Sequence, residues 1–264
     1  MRKYLEVAKI YLKQQLIWRA DTVFQLTILV TKILFAYLLW GAIFGKEQEV
    51  AGFTFSAMLS YYIISSFLSI IDTSGEIGQD ISGRIRNGTF SSYMILPMGT
   101  LRFYIARQLG TTVFYGACIL SALILWMVLF PVGFVLTGNW QIILAVLVLI
   151  GIGMLFMVQL NYFLGILTFR FQEISTFLMI KDNLIALITG TLVPLVLLPE
   201  SIIVVMKFFP FYYVTYLPSM ALIGRCQDEV YTGIVVLAAW SLLFALLNRV
   251  FFGRYRIKYD GVGI

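Results

Sequence analysis

The sequence predicts an all-α, polytopic membrane protein with six transmembrane helices, and three observations predict it. Its 264 residues are 61% hydrophobic and 12% charged, far from the composition of a soluble domain. The apolar residues come in runs, and a helix needs roughly 20 such residues to cross a bilayer. From residue 108 to residue 169 no side chain carries formal charge. As one helix that stretch would be about 93 Å long, some three hydrocarbon thicknesses, so it must turn back. The segment "PVGFVLTGNW", Pro131 to Trp140, supplies a helix breaker, two glycines and an asparagine for the turn.

The elements follow in order. Residues 1–21 read as an interfacial helix. Leu5, Ala8, Leu12 and Leu16 recur at helical spacing, and Arg2, Glu6, Lys9 and Lys13 form the opposite stripe. A solvated cytoplasmic helix is the alternative. Trp18 and Arg19 mark entry into the bilayer. The six passes are Thr22–Phe44, Phe53–Ile71, Thr111–Val135, Gln141–Phe169, Thr176–Leu198 and Thr232–Phe252. No short hydrophobic segment ends in a small-residue cleavage site, so the first run is expected to be a retained span.

An even number of passes puts both termini on one side, and basic residues decide which. With the termini inside, the inner segments and span ends hold 15 of the 19 Lys and Arg. They are Arg2, Lys3, Lys9, Lys13, Arg19, Arg84, Arg86, Arg102, Arg107, Arg170, Lys181, Arg249, Arg254, Arg256 and Lys258. The outer segments hold Lys46, Lys207 and Arg225, and Lys32 lies within a span. The net charge of +6 is thus spread over the inner membrane surface, where anionic lipid attracts it. That distribution argues against nucleic acid as a partner.

Catalytic and metal chemistry find little footing. Histidine is absent, which removes the commonest general base and metal ligand. Cys118 and Cys226 suggest neither a disulfide framework nor metal spacing. "GAIFGKE", Gly41 to Glu47, has the wrong glycine spacing for a phosphate loop and Glu where a Ser or Thr would hold magnesium. "NGT", Asn87 to Thr89, matches a glycosylation acceptor but falls on the inner face, where Asn-Gly reads as a turn.

Four regions carry functional expectations. Lys32 sits near the centre of the first span, where a basic residue costs about 2.5–3.5 kcal/mol on insertion scales. It either lines a polar cavity, pairing with an acid such as Asp72 or Asp182, or snorkels to the interface. In the fifth span, residues 171–181 are expected along the surface, leaving the apolar run Asn183 to Leu198 short and interrupted by Gly190 and Pro194. Residues 199–231 form an outer gate segment, which Pro199, Pro210 and Pro218 divide into re-entrant or interfacial pieces too short to cross. An ordinary aromatic belt is the alternative for Phe208, Phe209, Phe211, Tyr212, Tyr213 and Tyr216. Residues 72–110 form the longest cytoplasmic connection. There Ile77, Ile81 and Ile85 make one apolar stripe on a short helix that Asn87-Gly88 stops. That helix either docks a soluble partner or rests on lipid.

The helix followed by "IRNGTF…LP", six spans, the outer Gly190, Pro194, Pro199, Pro210, Pro218, Gly224 pattern and the closing "YDGVGI" occur here in one order. Together they resemble the permease of a bacterial type-2 ABC exporter, in its compact form beside a separate ATPase. The resemblance implies a non-catalytic, multi-pass subunit of the bacterial cytoplasmic membrane. It would form a dimer with a second permease, identical or related, and bind no cofactor itself; ATP and magnesium would be bound by the ABC ATPase partner. It implies a coupling helix around Glu76–Phe90, with Glu76, Ile81, Arg84, Ile85, Arg86, Asn87 and Gly88 as contact residues, and a second contact at Arg170 and Glu173. The expected cargo is amphipathic: a drug, a peptide antibiotic or a lipid.

Two other readings stay open. A type-2 permease for a polysaccharide or teichoic-acid polymer would need a broad aromatic-lined tunnel, with Tyr61, Tyr62, Phe114 and Tyr115 as candidates. An ion-coupled secondary transporter would need acids well inside a span, and the sequence offers none. An integral-membrane enzyme would need clustered acids or histidine there.

Overall fold

In a computed structural model, which describes residues 2–17, 19–45, 49–50, 52–129, 133–188, 195 and 198–259, the protein is all-helical. Among the described residues the one strand-like pairing is a bridge between Val50 and Phe53. Among the described residues the α-helices are, in order, α1 (Arg2–Ile17), α2 (Arg19–Phe44), α3 (Phe55–Ile71), α4 (Gly75–Arg86), α5 (Ser91–Met94), α6 (Thr100–Leu129), α7 (Trp140–Ile166), α8 (Thr168–Phe171), α9 (Ser175–Ile188), α10 (Glu200–Met206), α11 (Leu217–Leu222) and α12 (Val230–Tyr255). Of the features singled out in the sequence, Trp18, Lys46, Pro131, Gly190, Pro194 and the closing residues 260–264 lie outside the described residues.

Four stretches among the described residues are helical, long and apolar enough to cross a membrane: Ala20–Phe44, Phe55–Arg86, Trp140–Phe171 and Gln227–Tyr255. They match the first, second, fourth and sixth expected passes. The third corresponds to α6, and the fifth begins as α9, beyond which residues 189–194 and 196–197 lie outside the described residues.

Three boundaries differ from expectation. First, α6 starts at Thr100, not near Thr111, which shortens the connection expected over 72–110 to residues 72–99. Its first turns are held by α1. A Cβ on Gly110 would collide with the Ala8 carbonyl oxygen, so the two backbones meet where only glycine fits, as small residues allow. Second, there is no break at Lys181, where the expected surface segment ends. Helix α9 runs unbroken through Lys181, which is only 6% exposed. Its ammonium group survives burial because Asn161 and Asp182 accept its protons, at 2.7 and 2.8 Å.

Third, the outer segment is two pieces, not three. After α10, Pro210 opens a helical run that passes through a π-helical turn, Tyr212–Tyr216, straight into α11. Pro218 does not break it. A proline lacks the N–H and crowds the carbonyl four residues back, and a wide π turn relieves that crowding. Tyr212, Tyr213 and Tyr216 are buried in the outer core with Leu149, Leu217 and Leu237, so the aromatic-belt alternative fits only the exposed Phe208 and Phe209.

Helix α7 is the axis of the fold. It packs along α12, receives α4 at one end and the 210–222 run at the other. Gly153 abuts Val214, and a Cβ on Gly233 of α12 would stand 2.8 Å from Leu217. Polar ties fix the α7–α12 register: Ser241 Oγ donates to Gln159 Oε1 at 2.8 Å, and Asn248 Nδ2 donates to the Gln159 carbonyl at 2.9 Å. Helix α2 lies on α3 at the margin of the bundle, and Val23, Phe24, Phe35 and Leu38 on it are exposed.

Candidate functional site

The site begins with how α4 is made. Asp72 Oδ1 accepts from the Ser74 backbone N–H at 3.0 Å, which turns the chain out of α3. Glu76 sits in the first turn and Arg84 and Arg86 in the last, the arrangement that suits the helix dipole. The helix ends at Asn87 (φ −85°) and Gly88 (φ +71°), so glycine alone supplies the left-handed turn. The Arg84 carbonyl then accepts from Phe90 N–H at 3.0 Å.

The apolar stripe predicted from Ile77, Ile81 and Ile85 forms, but it faces inward. Ile81 and Ile85 are both 0% exposed, and Gly165 of α7 leaves the space Ile81 fills: a Cβ there would stand 2.8 Å from Ile81 Cβ. Burying such a side chain is worth about 1.5–3 kcal/mol against exposure to water. Ile81 and Ile85 therefore seat α4 on α7 and are not themselves exposed to a docking partner. Glu76, Gln79, Arg86 and Asn87 make the exposed face, and a Cβ on Gly83 would meet nothing within 4 Å.

Polar bonds fasten α4 to α9 at both ends. At its start, Asn161 Nδ2 of α7 donates to Ser74 Oγ at 2.8 Å while Asn161 Oδ1 accepts from Lys181 of α9 at 2.7 Å. At its finish, Arg86 Nη1 donates to Glu173 Oε2 at 2.7 Å, and Glu173 Oε1 accepts from the Ser175 backbone N–H at 2.9 Å, capping α9. Those hydrogen bonds, the Ser175 N–H first, and then the Arg86 charge hold the Glu173 carboxyl below the usual glutamate range. Gln172, at φ +57° and ψ −48°, makes the turn that aims Glu173, a rare backbone state for a residue with a side chain.

On its other side α4 is tied to α6 through Asp80. Asp80 Oδ1 accepts from Arg84 Nε at 2.8 Å; Asp80 Oδ2 accepts from Tyr104 Oη at 2.8 Å and from Arg107 Nη1 at 3.3 Å. Arg107 Nη2 also donates to Glu76 Oε2 at 3.2 Å. The Arg84 guanidinium lies over the Tyr93 ring at 4.7 Å. Asp80 is the hub that sequence reasoning passed over, although its place four residues before Arg84 was a usable signal. Ser74, Asn161 and Lys181 join it as residues that only the fold brings together. Arg170 is exposed on α8 with its guanidinium 5.7 Å from the Phe171 ring. A cleft of about 420 Å³ runs between α4 and α9, lined by Gln79, Ser82, Arg86, Glu173, Ser175 and Asp182 among others.

Lys32 stands between two cavities. One, of about 370 Å³, is lined by Phe35, Leu39, Trp40, Tyr62 and the hydroxyls of Ser65 and Ser69. The other, of about 360 Å³, is lined by Asp72, Glu76, Asp182, Gln25 and Tyr115. The aromatics considered for a polymer path are not gathered in one place. Tyr61 is buried against Tyr216, and Tyr62 and Tyr115 line different cavities.

At the opposite end, Pro199 precedes α10 and Pro210 opens the π-containing run. Lys207 Nζ donates to Glu229 Oε1 at 2.6 Å, and Tyr212 Oη to Glu229 Oε2 at 3.2 Å. Burial opposes the Lys207 charge, but the bond to Glu229 outweighs it and raises the Lys207 pKa. Arg225 donates to the Gly52 carbonyl and lies over the Phe53 ring at 3.7 Å.

The family described as ABC-2 family transporter protein matches this chain over residues 29–263. No curated protein and no solved structure matches it.

Proposed function

The chain belongs to the ABC-2 family of transporter proteins, and on that premise we propose that it is one permease of an ATP-driven exporter, with α4 as the element that receives force from an ABC ATPase. In this reading α6 and the segment beginning with α9 are the remaining two of six passes. Both termini and α4 lie on the cytoplasmic side of the bacterial inner membrane, as the distribution of Lys and Arg favours. A second permease, identical or related, completes the path, two ATPase subunits dock below, and the cargo is amphipathic.

One observation carries the reading: α4 is linked to α9 at both ends, through Asn161 of α7 at one and Glu173 just ahead of α9 at the other, and is bonded on its flank to α6. A push on its exposed face is therefore passed to two long helices rather than absorbed by a loop. Rigid helices joined by bonds that can be remade are the material of a two-state switch. Lys32 and its two cavities lie along α2 and α3, where an amphipathic molecule finds one polar and one aromatic compartment. The 199–231 segment then closes the outer end.

The test is purification of the tagged chain from its native membrane in mild detergent, followed by assay of bound ATPase activity. Three forms are compared: the intact chain, Gly83→Leu, and the triple change of Arg84, Arg86 and Asn87 to Ala. The expected result is an ATP-binding subunit that accompanies the intact chain and is lost or uncoupled in both variants. If the chain purifies alone and ATP changes nothing, the permease reading falls in favour of an ion-coupled carrier.

A further inference from the structure

At the α4 end of the molecule Arg84, Arg86, Arg107 and Lys181 each face a carboxylate. Three other cations are gathered in one place without one. Lys3, Arg102 and Arg256 come from chain segments far apart in sequence and converge on a groove of about 720 Å³ whose lining contains no Asp or Glu. Among the described residues none of the three is in an ion pair. The groove is built rather than incidental. Lys3 Nζ donates to the Pro97 carbonyl, fixing α1 to the 95–99 loop, and the Arg256 guanidinium lies 5.9 Å from the Phe252 ring.

Its lining also carries exposed apolar side chains: Met94, Leu96 and Ile257, the last 81% exposed, with Ile95 beside Leu96 84% exposed. A cationic hollow with uncovered aliphatic side chains at its edge matches the junction of headgroup and acyl chain in a phospholipid. Free phosphate would satisfy the hollow and leave the rim in water.

We propose that this groove binds the headgroup of an anionic phospholipid of the cytoplasmic leaflet. The lipid phosphate sits among Lys3, Arg102 and Arg256, with the acyl chains along Ile95 and Ile257. The assignment of leaflet rests on the orientation given above; the binding itself does not depend on an ATPase or a cargo. The consequence reaches the coupling helix. Tyr93 lines the groove and also carries Arg84 on its ring, and it stacks on Phe90 and Tyr104. A bound lipid therefore braces the turn that ends α4.

The experiment uses the purified full-length chain in detergent, without ATPase. Lipid retention is measured by native mass spectrometry and affinity by titration, with phosphatidylglycerol, phosphatidylcholine of the same chains, and inorganic phosphate as the three probes. The intact chain is expected to retain phosphatidylglycerol over phosphatidylcholine. Arg102→Gln with Arg256→Gln is expected to weaken that affinity roughly thirty-fold, since each cation near a lipid surface contributes about fivefold. Lys13→Gln with Arg249→Gln removes the same charge outside the groove and is expected to change it little. If the double variant unfolds, the intact chain still decides: its preference for phosphatidylglycerol must fade as salt is raised.

Equal retention of the two lipids, equal loss in both double variants, or equally strong binding of inorganic phosphate overturns the proposal. So does unchanged lipid binding in Arg102→Gln with Arg256→Gln if that double variant no longer captures an ATPase subunit, which would make the groove a protein contact. Loss of ATPase capture in the α4 variants leaves this result untouched, so the two readings fail separately.

Discussion

The two ends of this protein are closed by different chemistry. At the α4 end, isoleucines seat the helix but charged hydrogen bonds place it: Asp80 with Arg84, Tyr104 and Arg107, and Glu173 with Arg86. At the other end, Tyr212, Tyr213, Tyr216 and Leu217 pack into α7 and α12 at distances that require glycine at position 233. The Arg86–Glu173 bond is exposed, and exposed charged bonds are individually weak and can be exchanged, whereas close-packed interiors resist small displacements. Under the proposed function, that difference would suit the α4 end to receive and pass on a push, and the other to stay shut until a larger rearrangement opens it.

The largest effect that would break this contrast comes from overpacking each end. Gly165→Val drives a side chain into Ile81, and Gly233→Val drives one into Leu217 and Tyr213. Each is expected to cost about 1–3 kcal/mol in thermal unfolding. Only Gly165→Val should also abolish the stimulation of a bound ATPase, and if both do so equally the two ends are not distinct.

Next in size is the buried pair at the start of α4. Asn161→Leu takes away the acceptor of a Lys181 that is nearly inaccessible to water, and should destabilise by about 1–3 kcal/mol. Adding Lys181→Met should recover part of that loss in a double-mutant cycle. Full additivity would mean the bond does not hold α9 to α7.

Smaller in stability but sharper in function is the bridge at the end of α4. Arg86→Glu and Glu173→Arg are each expected to leave the melting temperature nearly unchanged while uncoupling ATPase activity, and the two together should restore it. The pH dependence has a definite sign. Because the Glu173 carboxyl is held below its ordinary value, its contribution is complete above the usual glutamate range of about 4.3. It is lost as pH falls through the lower, folded value. The stability difference between the intact chain and Glu173→Gln should therefore stay level above about pH 5 and shrink in stronger acid.

The smallest stability effect is expected from Gly83→Leu, within about 0.5 kcal/mol, because its Cβ faces open space. If that variant still binds and responds to the ATPase, the exposed face of α4 is not the docking surface.

Much of the architecture was legible because the bilayer imposes a length. Runs of apolar residues, the turn before Trp140 and the bias of Lys and Arg are one-dimensional signals. The stripe of Ile77, Ile81 and Ile85 was legible as well, since helical spacing alone defines a face. What covers that face was not legible, because a stripe docked on α7 and a stripe offered to a partner have the same spacing. Pro218 misled for a related reason: a proline marks a break only where the backbone has no room to widen.

The amino-acid sequence by itself determined that this chain is helical, membrane-spanning and permease-like, because composition, periodicity and motif order need no partner to be read. Only the tertiary structure decided that α4 is fastened to α9 and α6. Those bonds join residues 74 to 161, 161 to 181, 86 to 173 and 80 to 104. It likewise decided that Lys3, Arg102 and Arg256 share one groove. Hydrogen bonds and ion pairs act over a few ångströms, so which of them form depends on which helices pack side by side.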